Sequence, residues 1–376
     1  MKTKIIAMYL PQYHQIPEND EFWGKGFTDW VTVKNALPLF ESHIQPRKPL
    51  NSNYYDLSKQ DNVEWQAELA YNHGIYGFAV YHYWFNNDKN LLTKPAEILR
   101  DSNKCKIKYF LAWDNCNWKR SWSNVEGNDW APIADKQSLK DEKKTQILIP
   151  YILGDKTDWK NHYDYCRTHF LSANYEKLNN KPVFCILGYS KKIAEMCSYW
   201  NELAKEDGFD GIAFIFKYAP YKGISSHSYC YRYQPQWSGW ESMSFLKRVY
   251  RKLLKYFKVD IRNPINIIDY DKVWKKIINE ANRCKSTTMF HGAFVGYDDS
   301  PRRGKNRSII IIGQSPEKFD RYLKELLSIS NKQNKEYVFL TAWNEWGEGA
   351  YLEPDDVNGY AYLNAIKKVS EEQDSN

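Results

Sequence analysis

Two glutamates three residues apart, Glu345 and Glu348, stand in the run Thr341-Ala342-Trp343-Asn344-Glu345-Trp346-Gly347-Glu348-Gly349. Apolar residues precede the run, and Gly347 and Gly349 allow a sharp turn after it. Two carboxyl groups converging beside tryptophans meet the demands of glycosidic chemistry. One protonates a departing oxygen while the other acts as base or nucleophile at an oxocarbenium-like carbon. An apolar wall would raise the pKa of one glutamate and keep it protonated. The alternative is a solvated pair on an ordinary turn, and the flanking Trp343, Asn344 and Trp346 favour the chemical reading.

Two further runs combine polar and aromatic side chains: Val80-Tyr81-His82-Tyr83-Trp84-Phe85-Asn86-Asn87 and Trp113-Asp114-Asn115-Cys116-Asn117-Trp118-Lys119-Arg120. Tyr81, His82, Trp84, Trp113, Asn115, Trp343, Asn344 and Trp346 are therefore candidate substrate contacts, by ring stacking or by hydrogen bonds to sugar hydroxyls. For each tryptophan a core position is an equal alternative, and a lone strand histidine is more often structural. Arg302 could hold an anionic sugar or a phosphate, since guanidinium matches such groups bidentately. Its rival reading is an internal Asp–Arg pair within Asp298-Asp299-Ser300-Pro301-Arg302-Arg303. No two histidines have metal-ligand spacing, and no phosphate-binding glycine loop follows a strand, so neither a metal nor a cofactor is expected.

The elements that must position these residues alternate in type. Apolar runs at Ile5–Leu10, Tyr76–Trp84, Ile107–Asp114, Pro182–Tyr189, Gly211–Tyr218, Thr287–Tyr297 and Tyr337–Trp346, with a fainter one at Ser228–Tyr233, read as about eight parallel strands buried on both faces. Helical stretches separate them. Asp61 with Glu64 suggests a capping box opening 62–72 that Gly74 closes, and Ser315-Pro316 opens a helix with Phe319, Tyr322, Leu323, Leu326 and Leu327 on one stripe. The expected fold is α/β, a (β/α)8 TIM-type barrel spanning 1–365, followed by a polar tail at 366–376. Long loops would lie at the C-terminal face of its strands, where active sites of such barrels form. The longest, from Pro11 to about Gln60, carries Tyr13, Phe22, Trp23, Phe27, Trp30 and Phe40 among its aromatics and should fold over that mouth.

Composition narrows the class. The 376 residues are 43% hydrophobic and 26% charged, which excludes disorder, and no apolar run is long enough to span a membrane. Seven cysteines in odd number, without C-x-x-C spacing, fit reduced thiols. The N-terminus lacks the features of a signal peptide, so a cytoplasmic protein is expected. A net charge of +7 is weak support for nucleic acid, which is not expected as a partner. The basic amphipathic stretch 245–262, FLKRVYRKLLKYFKVDIR, could contact an anionic inner-membrane surface, though a barrel helix with a solvated face is the commoner outcome.

The motifs also resemble a known family. Trp343-Asn344-Glu345-Trp346-Gly347-Glu348-Gly349 with Tyr351-Leu352-Glu353-Pro354, and the opening Tyr9-Leu10-Pro11-Gln12-Tyr13-His14, Ile16-Pro17-Glu18-Asn19-Asp20 and Trp23-Gly24-Lys25-Gly26-Phe27-Thr28-Asp29-Trp30, look like the WbsX family of bacterial polysaccharide-biosynthesis proteins. Tyr81-His82-Tyr83-Trp84-Phe85 and Ser300-Pro301-Arg302-Arg303 look like landmarks of the same family. That family is in turn similar to the family 99 endo-α-mannosidases and mannanases. The resemblance implies a metal-free (β/α)8 barrel acting on glycosidic bonds of an oligo- or polysaccharide, in O-antigen or capsule metabolism, with lipid-linked glycan as one form of substrate. It implies that Glu345 assists the sugar 2-hydroxyl through an anhydro-sugar intermediate and that Glu348 is general acid, then base. Where family members often carry an acidic residue, this chain has Cys116, with Asp114 two places earlier, which leaves the sugar open. Glycosyl transfer is favoured. An endo-acting glycoside hydrolase is the alternative, and a non-catalytic glycan-binding barrel a more distant one.

Overall fold

The computed structural model describes residues 2–119, 147–218, 228–241, 265–304 and 308–374. Eight parallel strands follow one another around a closed barrel: β1 (Lys4–Tyr9), β2 (Gly77–Asn86), β3 (Lys108–Trp113), β4 (Lys181–Ile186), β5 (Ala213–Lys217), β6 (Tyr229–Tyr231), β7 (Met289–Phe294) and β8 (Tyr337–Thr341). Closure comes from β1, which pairs with β2 on one side (Ile6 opposite Gly77) and with β8 on the other (Lys4 opposite Tyr337). All eight expected strands are present, including the faint sixth. The protein is thus a (β/α)8 barrel, as its alternating apolar runs suggested.

The strands are buried on both faces because aromatic side chains fill the barrel and helices cover it. Phe110 of β3 and Phe339 of β8 meet across the interior at 6.1 Å, and Tyr231 of β6 stacks on Phe339 at 4.2 Å. Outside lie α3 (Gln60–Asn72), α4 (Lys94–Asp101), α5 (Lys156–Phe170), α6 (Lys191–Glu206), α7 (Tyr270–Arg283), α9 (Pro316–Lys332) and α10 (Ala361–Asp374). Between β1 and α3 the chain forms two short helices, α1 (Pro17–Trp23) and α2 (Asp29–Lys34), and the one-turn α8 (Ser300–Arg303) follows β7.

Local signals were mostly realised. Ser315 caps α9 by accepting from Lys318 N, and the stripe from Phe319 to Leu327 is buried as expected. Gly74 ends the α3 region at φ +85°, a conformation that suits glycine. The capping box at Asp61 does not form, because the helix starts earlier with Lys59 at its N-cap. Glu64 instead accepts from Ser102 Oγ and Lys104 Nζ. The expected tail at 366–376 is also corrected: α10 runs on to Asp374, and its Leu363, Ile366 and Val369 are buried. The basic stretch 245–262 lies outside the described residues. Among the described residues, no helix is long and apolar enough to cross a membrane.

Candidate active site

β8 ends at Thr341, and the chain then folds back on itself. Asn344–Glu345 pair antiparallel with Ala350–Tyr351, a single 3₁₀ turn covers Trp346–Glu348, and Gly349 takes φ +57°. This reversal brings Glu345 and Glu348 within reach of one side chain, Arg302 from α8. Arg302 Nη1 lies 2.7 Å from Glu348 Oε1, and Nη2 lies 3.5 Å from Glu345 Oε2. Gly347 is needed for that approach, since a Cβ there would sit 2.6 Å from Arg302 Nε and 2.7 Å from Asp29 Oδ2.

Asp29 comes from α2 in the long first loop. Both its oxygens accept from Arg302 Nη2 at 3.2 Å, and both side chains are buried. Tyr13, from the same loop, donates to Asn344 O at 2.5 Å and accepts from Trp346 N at 3.1 Å. The expectation that this loop folds over the mouth holds, and it adds two site residues that spacing around β8 did not single out. Arg302 follows the rival reading, an internal ion pair, but its aspartate is Asp29. The neighbouring Arg303 pairs with Asp299 at 2.8 Å.

The two glutamates sit in different surroundings. Burial pushes the Glu345 carboxyl up to about 8, the nearby Glu348 and Asp29 charges add to the rise, and Arg302 and the Tyr81 hydroxyl oppose it. Glu348 keeps 20% side-chain exposure and makes the closer ion pair with Arg302. A second acid nearby, Asp299, is raised to about 7, again chiefly by burial, with Arg303 opposing and Glu348 contributing. Asp298 goes the other way. Although buried, it is held below the usual carboxylate range by hydrogen bonds from His43 (2.7 Å) and Ser300 N (3.0 Å).

Tyr81 is the candidate on β2 that faces this group; its hydroxyl reaches Glu345 and lies 2.9 Å from that of Tyr233. Tyr83, two residues on, feels the charges of Asp114 and Glu345. At the β3 exit Asp114 is raised by burial, while Lys217 and a hydrogen bond with Cys116 oppose the rise. Tyr83, Asp114, Lys217 and Tyr233 therefore join the pair at the C-terminal mouth.

Other candidates are placed elsewhere. His82, Trp84 and Trp113 point out of the barrel wall toward α5: His82 Nε2 is 2.9 Å from His162 Nε2, and Trp84 stacks on His162 at 4.6 Å. Trp113 is buried and donates through Nε1 to Trp84 O. Burial lowers His82 to about 3, so it stays neutral. The Asn115 amide is spent on the Gly188 backbone (2.8 and 2.6 Å), and the Asn344 amide on that of Leu10 (2.9 and 2.7 Å). Both asparagines are backbone joints. Trp343 is fully buried against Phe78, while Trp346 stacks on Tyr351 at 3.7 Å and donates to Glu353. In this structure neither tryptophan offers an open stacking face.

No metal-ligand pair of histidines was visible in the spacing, yet the fold brings His82, His162 and Cys166 within 4.8 Å of one another. The two rings satisfy each other by hydrogen bonding, and the cluster lies behind the barrel wall, away from the carboxyl pair.

Comparison with known proteins adds three findings. A family model described as Glycosyltransferase WbsX matches residues 5–366. Two relatives from strains of Xanthomonas campestris pv. campestris, both described as Uncharacterized protein WxcX, are 28% identical across 98% of this chain and 50% of theirs. The chain therefore spans about half the length of the curated relatives it matches. Among solved structures, a glycoside hydrolase-like protein superposes with TM-score 0.57 at 12% identity, covering 98% of this chain and 94% of that one. The GH99 endo-alpha-mannosidase from Bacteroides thetaiotaomicron gives 0.56 at 11% identity, covering 99% and 97%. At such identities the likeness is one of fold.

Proposed function

The chain belongs to the WbsX glycosyltransferase family, a family of carbohydrate-active enzymes, and on that premise we propose that it transfers glycosyl units during the assembly of a bacterial surface polysaccharide. Glu345 and Glu348 carry the chemistry. The observation behind this reading is the buried Arg302, which reaches both carboxyl groups at the C-terminal mouth of the barrel while Glu345 is held at about 8.

In that environment burial and the neighbouring acids favour the protonated form of Glu345. It gives the proton to the departing glycosidic oxygen as the bond to the anomeric carbon breaks. The acceptor hydroxyl attacks that carbon and surrenders its proton to the Glu348 carboxylate, which is nearer the solvent. These roles exchange those implied by the family resemblance, in which Glu348 is the acid. Tyr81 orients Glu345, and Asp114 with Lys217 lies where an acceptor or a second sugar would contact the wall. Water in place of the acceptor would make the same site an endo-acting hydrolase. The full reading has a cytoplasmic barrel acting on an oligo- or polysaccharide, with a lipid-linked glycan as one form of that substrate.

The test is a mass-spectrometric product assay on the source organism's surface glycan, run with and without nucleotide-sugar or lipid-linked donors. Chain extension that requires a donor supports transfer. Shortening without a donor would assign hydrolysis, and no change in either setting would leave a glycan-binding barrel.

A further inference from the structure

Glu353 is fully enclosed, 3% exposed, and lies behind the turn that carries the carboxyl pair, so it cannot touch a substrate in the mouth. Three donors converge on it from three parts of the chain. Trp346 Nε1 donates to Oε2 at 2.6 Å, Tyr55 OH donates to the same oxygen at 2.7 Å, and Gln66 Nε2 donates to Oε1 at 2.6 Å. The Gln66 amide is oriented for this, because its own oxygen accepts from Tyr9 OH at 2.5 Å. The first loop, α3 and the turn after β8 therefore meet at one carboxyl group, and β1 joins them through Gln66.

Trp346 is the residue that makes this junction matter for the site. It stands between Glu345 and Glu348, its backbone N–H is fixed by Tyr13, and its ring lies flat on Tyr351. Its carbonyl accepts from Gly349 N at 3.1 Å, its ring also meets that of Trp30 at 5.6 Å, and Glu353 holds the indole N–H, which fixes the tilt of the ring. We propose that Glu353 is a positioning residue: through Trp346 it sets where Glu345 and Glu348 stand relative to Arg302. The inference rests on the carboxyl pair being the reacting groups. A carboxylate suits the task because it only accepts, and every one of the three partners donates; burial pushes its pKa up to about 7, and those hydrogen bonds oppose the rise. An amide offers one acceptor oxygen in place of two, so an N–H would face a donor and the junction would have to rearrange.

The test uses the full chain with ¹⁵N-labelled tryptophan and ¹³C-labelled glutamate, comparing wild type with Glu353→Gln, Glu353→Asp and Tyr55→Phe. Glu353→Gln should shift the Trp346 indole resonance and displace the Glu345 titration midpoint. It should also lower kcat about 100-fold at little change in KM, the scale expected of a misplacement near 1 Å. Glu353→Asp should recover part of each effect. Tyr55→Phe removes one donor while keeping the Glu353 carboxyl group, so it should move the same quantities less far. An unmoved Glu345 midpoint in Tyr55→Phe and Glu353→Gln would overturn the proposal, as would an unchanged kcat once the indole has shifted. Should Glu353→Gln fail to fold, Tyr55→Phe decides alone. If wild type turns over no glycan, the functional reading fails, while the two resonance measurements still judge the placement of the turn.

Discussion

At the scale of single residues, the proposed chemistry turns on Arg302 and Glu345. Burial costs the ionised form of Glu345, so its pKa rises in the folded protein, and the stability it lends is present at low pH. That contribution declines as pH rises past the ordinary glutamate value of 4.5 and is gone above about 8. Glu345→Gln removes the ionisation cost, so its melting temperature should exceed that of wild type by a few degrees at pH 9, with the gap closing at pH 5. Scanning calorimetry at the two pH values checks this. The sign of the pH–rate profile separates the two role assignments: with Glu345 as acid, turnover falls as pH rises through about 8, whereas as base it would climb. Arg302→Gln leaves Asp29 without its cation and takes away what opposes the rise in Glu345. The Glu345 midpoint should move above 8, and stability should fall by about 3–5 kcal/mol, measured by denaturant unfolding.

At the scale of elements, the turn after β8 tolerates no side chain at Gly347, whose Cβ would press on Arg302 and Asp29. Gly347→Ala should cost about 1–3 kcal/mol, as overpacking does, and reduce turnover more than glycan binding; kinetics with isothermal binding would show the split. The same scale explains what the sequence could and could not tell. Strands buried on both faces read as unbroken apolar runs, which made seven of the eight plain and left the short β6, Tyr229–Tyr231, faint. Such runs lack a polar-to-apolar alternation, so nothing in Tyr81-His82-Tyr83-Trp84 said which pair faces the mouth. Tyr81 and Tyr83 do, while His82 and Trp84 pack against α5. Asn115 and Asn344 looked like sugar ligands because a side-chain amide suits either a hydroxyl or a backbone, and their use on Gly188 and Leu10 depends on how strand ends meet. Glu345 and Glu348 stood out by residue type at a strand exit, and so did Arg302, though as a substrate contact and not as the internal ion-pair partner it is here. Asp29 was not, because its partner lies 273 residues away.

Across the whole molecule, the two ends of the chain are joined at the site. β1 closes the barrel against β8, and just beyond both strands Asn344 holds Leu10 through two hydrogen bonds while Tyr13 holds the Asn344 and Trp346 backbone. The scaffold and the carboxyl pair are therefore not independent. Asn344→Ala should lower stability by about 1–3 kcal/mol through the unmet Leu10 groups, and hydrogen exchange should quicken in β1 and β8 together. Exchange confined to one strand would argue against such a joint. The measurement that bears most directly on the account is turnover of the native surface glycan by wild type, Glu345→Gln and Glu348→Gln, followed by mass spectrometry with folding verified for each. Each variant should lose about 10²–10⁴-fold in rate while still binding the glycan. Full turnover by either one would contradict the assignment of this pair as the reacting groups.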